Sequence, residues 1–166
     1  MKPEVRLGDS KDVDGAAQVW ARATARRDDK PVIPPLQAAR DVLLDSLRKE
    51  RSTFVVAASG GDVLGFAIAE PTTSPRVAEV RYVGVDPAYW RASVGTAVMA
   101  RMADELVSAG FRTAQLLVYA DNLPARRLYE RMGWQWDEAP PSTHPRTGKG
   151  EVRYCLRLGN DHRPRN

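Results

Sequence analysis

Two stretches of the sequence decide the fold: VGVDPAYWRASVGTA at residues 83–97 and NLPARRLYERMGW at residues 122–134. The first stretch predicts a β-strand that ends in a turn of small residues and leads into an α-helix. At such a junction the free N–H groups of the first helical turn and the helix dipole converge on one point, which suits a pyrophosphate. Many turns of this composition bind nothing, so the first stretch alone is a weak signal.

The second stretch predicts a short amphipathic helix that ends at Gly133. Its apolar residues recur at helical spacing: Ala125, Leu128, Tyr129 and Met132. The pattern Asn-x-x-Ala-x-x-Leu-Tyr-x-x-x-Gly-Trp, which begins at Asn122, resembles the signature of the GNAT N-acetyltransferase superfamily. The resemblance is detailed over about residues 63–134 and covers most of the chain in the order of its elements.

Hydrophobic periodicity and turn residues predict the remaining elements. Helices are predicted over residues 11–26, 36–49, 94–109 and 125–132. Strands are predicted over residues 5–7, 53–58, 63–70, 77–85, 112–119 and 151–158, with residues 134–137 as a seventh if they are also extended. The proline-containing residues 28–35 and the Pro/Ser/Thr/Gly-rich residues 139–150 are predicted to be loops. The predicted fold class is α/β (α+β), a GNAT fold whose central mixed, mostly antiparallel sheet of six to seven strands is flanked by about four helices.

Length and composition indicate one globular domain. A chain of 166 residues with 43% hydrophobic and 28% charged residues fits a single acyltransferase domain over residues 1–158 and a polar, disordered tail over residues 159–166. No apolar run reaches the roughly 20 residues that cross a bilayer, and the N-terminus lacks the apolar segment of a secretory signal. A single cysteine, Cys155, fits a reducing compartment. We therefore expect a cytoplasmic protein.

The net charge of +4 does not by itself indicate a polyanionic partner. Basic residues alternate with acidic ones, as where Arg26 and Arg27 precede Asp28 and Asp29. Nucleic-acid modules usually show basic clusters interleaved with aromatic residues. We therefore expect neither nucleic acid nor a membrane as a partner. We also expect the protein to be a monomer or a homodimer.

The resemblance implies acetyl-CoA as the acyl-donor substrate, held by the backbone amides of the turn, with the Asn position orienting it. The cofactor-binding residues that it implies are Val83, Val85, Arg91, Ala92, Ser93, Val94, Gly95, Thr96, Asn122 and Arg126. The turn departs from the usual Gln/Arg-x-x-Gly-x-Gly/Ala pattern, because Trp90 replaces Gln/Arg and Ser93 replaces a glycine. Either cofactor binding is weakened, or the turn has adapted and the Ser93 hydroxyl adds a hydrogen bond.

Transfer of an acyl group to an amine needs a base, a donor to the developing negative charge on oxygen, and an acid near the sulfur. The resemblance implies Tyr129 as the acid, although its helical spacing also fits a core tyrosine. It places the donor at a backbone N–H of Val83 or a neighbour. Glu79 is the first candidate for the base, or else a surface glutamate paired with Arg81. Glu70 is a lesser candidate.

The two histidines, His144 and His162, fall in a loop and in the tail and are expected to be solvated. With one cysteine and no ligand spacing, no metal site is expected. The predicted function is an N-acetyltransferase that moves an acetyl group from acetyl-CoA to a primary amine of a small molecule or amino acid by direct attack in a ternary complex. The alternatives are a catalytically weak or inactive acyl-CoA-binding module, and a protein N-terminal or lysine acetyltransferase.

Overall fold

The structure, a computed structural model, describes residues 2–159, apart from the side chains of residues 139 and 140. Its helices are α1 (Val13–Arg27), α2 (Leu36–Leu47), α3 (Val94–Ser108) and α4 (Leu123–Arg131). Its strands are β1 (Glu4–Leu7), β2 (Thr53–Ser59), β3 (Asp62–Pro71), β4 (Val77–Val85), β5 (Thr113–Tyr119), β6 (Gln135–Thr143) and β7 (Gly150–Arg157). His162 and all but the first residue of the predicted tail lie outside the described residues.

The seven strands form one sheet in the order β1-β2-β3-β4-β5-β7-β6. Every neighbouring pair is antiparallel except β4 and β5, which are parallel. A parallel pair needs a crossover, and α3 supplies it. The predicted fold class is therefore confirmed.

Capping explains why α1 begins two residues later than predicted. The carboxylate of Asp9 accepts a hydrogen bond from the N–H of Lys11 (2.8 Å), and the carboxylate of Asp12 accepts one from the N–H of Asp9 (2.9 Å). This reciprocal cap encloses a 3-10 turn, Ser10–Asp12. The predicted helix is therefore present, but its first turn is a tighter helix.

The prediction of a loop from residue 139 was wrong for residues 139–143, which belong to β6. Pairing between β6 and β7 shifts between Asp137 and Ser142, so that the intervening residues bulge out of the ladder. β6 is also the last strand of the sheet, with a neighbour on one side only. Prolines lack the N–H that a central strand needs, but a bulge on an edge strand accommodates them.

The helices cover the two faces of the sheet unequally. On one face α3 and α4 pack on strands β2 to β5 and β7. The core between them includes Met102 of α3, Leu116 of β5 and Tyr154 of β7. On the other face α1 and α2 pack on β2 and β3, around Leu43 and Phe66. That second core holds no residue of β5, β6 or β7 within the described chain. The β5–β7–β6 half of the sheet is therefore largely uncovered on the α1 face.

β4 lies close to α1 and to the side chain of Phe66 at Gly84. A Cβ atom at this position would lie 2.8 Å from Cε1 of Phe66 and 3.3 Å from Cγ1 of Val19. Val19 and Phe66 are fully buried, so neither side chain has room to move away. Glycine at this position lets α1 lie directly against β4.

Among residues 2–159, no helix has the length and apolar character to span a membrane.

We predict that Gly84→Ala lowers the free energy of unfolding by about 1–3 kcal/mol, because overpacking a filled core forces side chains out of their rotamers. Gly150→Ala is the matched control, since its Cβ would meet no atom within 4 Å. Chemical denaturation of both variants measures the difference. Equal stabilities for the two would contradict the close packing of α1 on β4.

Candidate functional site

β4 and β5 pair over only three residues and then separate. The pairs are Val77 with Thr113, Ala78 with Ala114, and Glu79 with Gln115. Beyond them β4 continues along β3, and β5 continues along β7. The sheet is therefore open between residues 80–85 of β4 and residues 116–119 of β5, a gap that we call the opening.

Three contacts hold the turn that follows β4. The carboxylate of Asp86 accepts a hydrogen bond from the N–H of Ala88 (3.0 Å) and pairs with Arg22 of α1 (3.1 Å). The indole N–H of Trp90 donates to the carbonyl oxygen of Val85 (2.8 Å), although the side chain stays 43% exposed. Trp90, at the position where Gln or Arg was expected, thus fastens the turn to the end of β4 and supplies no charge.

Two residues of this turn have left-handed backbone conformations. The φ angle is 73° at Arg91 and 64° at Ser93. Outside glycine, this conformation costs on the order of 1 kcal/mol or more per residue. Ser93 also caps α3, because its carbonyl oxygen accepts from the N–H of Ala97 (3.1 Å), but its side chain makes no capping hydrogen bond. Ser93 therefore occupies a position that favours glycine, and its hydroxyl does not compensate within the protein.

The first turn of α3 presents free donors. The N–H groups of Val94, Gly95 and Thr96 have no acceptor among the described residues, as expected for a helix start. The preceding residues of the turn are exposed, so these donors and the positive end of the helix dipole can be reached from solvent. This arrangement fits a diphosphate. Gly95 has a packing role as well, since a Cβ there would lie 3.3 Å from Leu128 of α4.

Val83 and Val85 line the β4 side of the opening. Both side chains are partly buried and pack against the core beneath α3 and α4. Val83 pairs with Ala67 of β3, and Val85 pairs with Gly65. The open edge of β4 is therefore held by pairing with β3 on its other side, except at a bulge where the register shifts between Ile68 and Ala69 of β3.

Tyr129 of α4 packs into the same core. Its ring centre lies 6.0 Å from that of Trp134 and 6.2 Å from that of Tyr154, and the residue is 7% exposed. Its hydroxyl has no hydrogen-bond partner among residues 2–159, and burial raises the pKa of Tyr129 to about 12. The side chain thus contributes to the core and also keeps a protonated hydroxyl that is free to donate at neutral pH.

Asn122 and Arg126 both have structural contacts at the start of α4. The side-chain oxygen of Asn122 accepts from the N–H of Ala125 (3.4 Å), so this asparagine is the N-cap of the helix. Arg126 donates to the hydroxyl of Tyr154 (3.0 Å) and to the carbonyl oxygen of Ala120 (2.8 Å). These contacts explain the positions of both residues without a ligand. A cofactor role for Asn122 and Arg126 stays a prediction.

Glu79 lies on the α1 face of the sheet, at the last pair before the opening. Its carboxylate accepts hydrogen bonds from Arg81 (2.9 Å) and from Gln115 of β5 (3.4 Å). The hydrogen bond to Glu79 is the largest contribution that raises the pKa of Arg81. The ion pair considered from the sequence is present, and it lies beside the opening, where a base would be needed.

Glu70, the lesser candidate for the base, is buried at the end of β3 beside Glu79. Its carboxylate accepts hydrogen bonds from Ser46 (2.7 Å) and from Lys49 of the α2 end, and Arg81 lies 3.5 Å away. A carboxylate with both oxygens engaged by cations and a hydroxyl holds α2 against the sheet. Its surroundings favour a structural role over proton transfer.

A family model described as Acetyltransferase (GNAT) family matches residues 19–134. This range contains the second half of α1, the turn after β4, the opening and α4. The chain belongs to the GNAT acetyltransferase family. The family predicted from the signature at residues 122–134 is thus confirmed.

Curated relatives of this GNAT protein include three named mycothiol acetyltransferase. The protein of Actinosynnema mirum is 32% identical over 88% of this chain and 45% of its own length. The protein of Amycolatopsis mediterranei is also 32% identical, over 74% of this chain and 42% of its own length. That of Streptomyces bingchenggensis is 36% identical over 49% and 26%. This chain therefore spans less than half the length of these relatives.

Solved GNAT structures share the fold at low sequence identity. The ribosomal-protein-S18-alanine N-acetyltransferase of Escherichia coli superposes with a TM-score of 0.73 at 23% identity, over 96% of this chain and 97% of its own. The yncA protein of Salmonella typhimurium, solved with its cofactor acetyl-CoA, gives 0.77 at 16% identity over 99% of both chains. The PaiA N-acetyltransferase of Thermoplasma acidophilum, in complex with coenzyme A, gives 0.72 at 13% identity over 92% and 98%. At these identities the likeness establishes the fold alone.

A group of side chains on the α1 face was not foreseen from the sequence. It surrounds Tyr119, the last residue of β5, and we call it the Tyr119 cluster: Arg27, Asp28, Tyr119, His144, Thr147 and Lys149. Its members come from the end of α1, the end of β5 and the connection from β6 to β7. No local pattern joins such distant segments, although an aromatic residue at a strand end and a basic helix end are visible in the sequence.

His144 is part of the Tyr119 cluster, so the expectation of a solvated histidine was incomplete. Its ring contacts that of Tyr119 edge to face, and its Nδ1 atom accepts hydrogen bonds from the N–H groups of Arg146 and Thr147 (both 3.2 Å). It thereby shapes the β6–β7 connection.

Within residues 2–159, no group of three His, Cys, Asp or Glu side chains is arranged to hold a metal ion.

We predict that Ser93→Gly stabilises this GNAT protein by about 1 kcal/mol, because glycine adopts the left-handed conformation without the penalty of a Cβ. Ser93→Ala keeps that penalty and removes only the hydroxyl, so it is the matched control and should not be stabilised. Thermal and chemical unfolding of the three proteins measure the effect. A stabilised alanine variant would show that the hydroxyl, and not the backbone, carries the cost.

Proposed function

We propose that this chain is an N-acetyltransferase that moves an acetyl group from acetyl-CoA to a primary amine of a small molecule or amino acid by direct attack in a ternary complex. One observation carries the proposal. An anion-binding helix start, an open strand edge and an unpartnered tyrosine hydroxyl occur together in a chain of the GNAT family. We also propose that residues 1–158 act as one domain and that the protein works in the cytoplasm as a monomer or homodimer.

The residues at the turn fit the donor substrate. Acetyl-CoA supplies an activated thioester and carries a diphosphate, for which the N–H groups of Val94, Gly95 and Thr96 are available donors. The exposed Arg91 adds positive charge nearby. In this proposal Val83 and Val85 contact the donor along the opening, and Ala92, Ser93, Asn122 and Arg126 complete its site.

Three groups of this chain would carry the chemistry. Glu79 accepts the proton of the attacking amine, directly or through water. A backbone N–H of Val83 or a neighbour donates to the negative charge that develops on the carbonyl oxygen. Tyr129 donates its proton to the departing sulfur. Burial raises the pKa of its hydroxyl to about 12, which keeps this proton in place at neutral pH until the thiolate forms.

The curated relatives support a small acceptor, since those described above are named for mycothiol and not for a protein. The likeness to the enzyme named for ribosomal protein S18 is one of fold alone. A protein acceptor and an inactive binding module are the alternatives. The first would acetylate peptides and not small amines, and the second would bind acetyl-CoA without releasing CoA.

We predict that Tyr129→Phe lowers kcat at least tenfold and leaves the KM for acetyl-CoA nearly unchanged. The lost hydroxyl acts mainly in the transition state, and general-acid catalysis typically contributes about 10²–10⁴-fold. Because the hydroxyl has no partner among residues 2–159, the melting temperature should hardly change. Steady-state kinetics on an amine panel, with thiol release as the readout, measures the effect.

Tyr154→Phe is the matched control for Tyr129→Phe. The Tyr154 hydroxyl donates to Glu130 (2.6 Å) and accepts from Arg126 (3.0 Å), so its loss should lower stability and leave kcat per folded molecule intact. Full turnover in Tyr129→Phe would assign the acid to another group.

Acetyl-CoA should raise the melting temperature of wild type and of both variants by mass action. The absence of any shift in wild type would refute the proposed function.

We predict that Glu79→Gln lowers kcat/KM by about 10²-fold or more, because glutamine cannot take a proton. Arg81→Gln removes the ion pair and keeps the carboxylate, so it should retain most of the activity. Kinetics and melting temperatures are compared for the two variants. If Glu79 serves only the ion pair, both variants lose similar stability and neither loses kcat.

A further inference from the structure

α1 spans the opening from one side to the other. Trp20 contacts Tyr82 of β4 edge to face, with ring centres 5.2 Å apart. Two turns later Arg27 lies over the ring of Tyr119 at the end of β5, 4.5 Å from its centre. The end of α1 and the Tyr119 cluster therefore lie beside the opening on the α1 face.

The Tyr119 cluster carries more positive than negative charge. Arg27 pairs with Asp28 through two nitrogens (2.9 and 3.3 Å), and Lys149 lies 5.2 Å from the centre of the Tyr119 ring. Burial by itself raises the pKa of Asp28, but the hydrogen bonds from Arg27 and the charges of Arg27, Lys149 and Lys30 outweigh it and lower that pKa. Asp28 therefore lies among three cations, and the carboxylates at the border of the cluster are Asp121 beside Lys149 and the buried Glu151, which pairs with Tyr119 across β5 and β7.

Donors in the cluster are left for a ligand. The Nη1 atom of Arg27 has no partner within residues 2–159, and Lys149 reaches only Asp121, at 3.8 Å on the surface. The two cations flank one aromatic face, and the hydroxyl of Thr147 donates to that of Tyr119 (3.3 Å). Two cations beside a buried ring, with part of their hydrogen-bonding capacity unused, are suited to bind an anionic group.

We propose that Arg27 and Lys149 bind an anionic group of the acceptor, so that the preferred acceptor is a primary amine that also carries a carboxylate or a phosphate. This inference rests on the proposed function and names the class of its acceptor. The same positive charge disfavours a second ammonium group, so di- and polyamines are poor acceptors. It also favours the uncharged form of the attacking amine, which is the reactive form.

The test uses matched amines with and without the anion: alanine against alaninamide, and phosphoethanolamine against ethanolamine. With wild-type protein we expect a higher kcat/KM for the anionic member of at least one pair, and the pair identifies carboxylate or phosphate as the group. Preference for the neutral member in both pairs overturns the inference. Turnover only on peptides overturns it as well.

Two variants of the cluster should act in opposite directions. Lys149→Met raises the KM for the anionic amine about tenfold, as for the loss of one charged hydrogen bond, and leaves the KM for the neutral amine unchanged. Asp28→Asn removes the competing carboxylate and lowers the KM for the anionic amine about two- to fivefold. Lys11→Met, an exposed lysine outside the cluster, is the control and changes neither KM.

A purely structural cluster would give equal changes for both amines of a pair, and that result overturns the inference. Melting temperatures with and without acetyl-CoA are recorded for each variant. Wild-type protein that binds acetyl-CoA and acetylates amines without regard to their charge refutes this inference alone. Wild-type protein that neither binds acetyl-CoA nor releases CoA refutes the proposed function itself.

Discussion

The structure depends on a parallel ladder that ends after three pairs. As long as β4 and β5 are paired, from Val77 to Glu79, they form one continuous sheet with their neighbours. Where they separate, each strand remains hydrogen-bonded on its other side, to β3 and to β7. The gap is therefore bounded by two strands, each of which is paired on its far side. The free donors of α3 follow one of these strands, and the Tyr119 cluster adjoins the end of the other.

The two faces of the gap have different chemical character. On the α3 and α4 face the surroundings are apolar, and the ring of Tyr129 packs beside those of Trp134 and Tyr154. On the α1 face the surroundings are charged, with Glu79 at the base of the gap and Arg27 at its far end. The apolar side keeps the Tyr129 hydroxyl protonated, and the charged side can bind a polar reactant. This difference is compatible with the transfer of a group through the gap from one reactant to the other.

Much of the fold could be predicted from the sequence because its signals are local. Asp9 caps the 3-10 turn that leads into α1, and Gly133 follows the end of α4, so each acts on its own neighbours in the chain. β6 was predicted too short because its prolines indicate a loop, and only its place at the sheet edge makes them tolerable. The family could also be predicted, because the signature at residues 122–134 lies in one stretch.

The site was only partly accessible to such reasoning. The backbone donors of α3 follow from the predicted helix start, and the contacts of Glu79 with Arg81 were among the alternatives. The Tyr119 cluster could not be found, since Arg27 and Tyr119 are 92 residues apart in the chain. The left-handed conformation of Ser93 was also hidden, because serine carries no signal for a backbone angle that normally selects glycine.

The bulged edge of β6 has a consequence for how the protein behaves at high concentration. An exposed sheet edge offers a row of backbone groups to which another chain can add a strand, and such addition leads to fibrillar association. Between Asp137 and Ser142 the row is interrupted, and the two consecutive prolines at residues 140 and 141 supply no N–H at all. A foreign strand could not find a continuous template along β6. The proline-containing part of β6, whose composition predicted a loop, thus protects the sheet against aggregation at this edge.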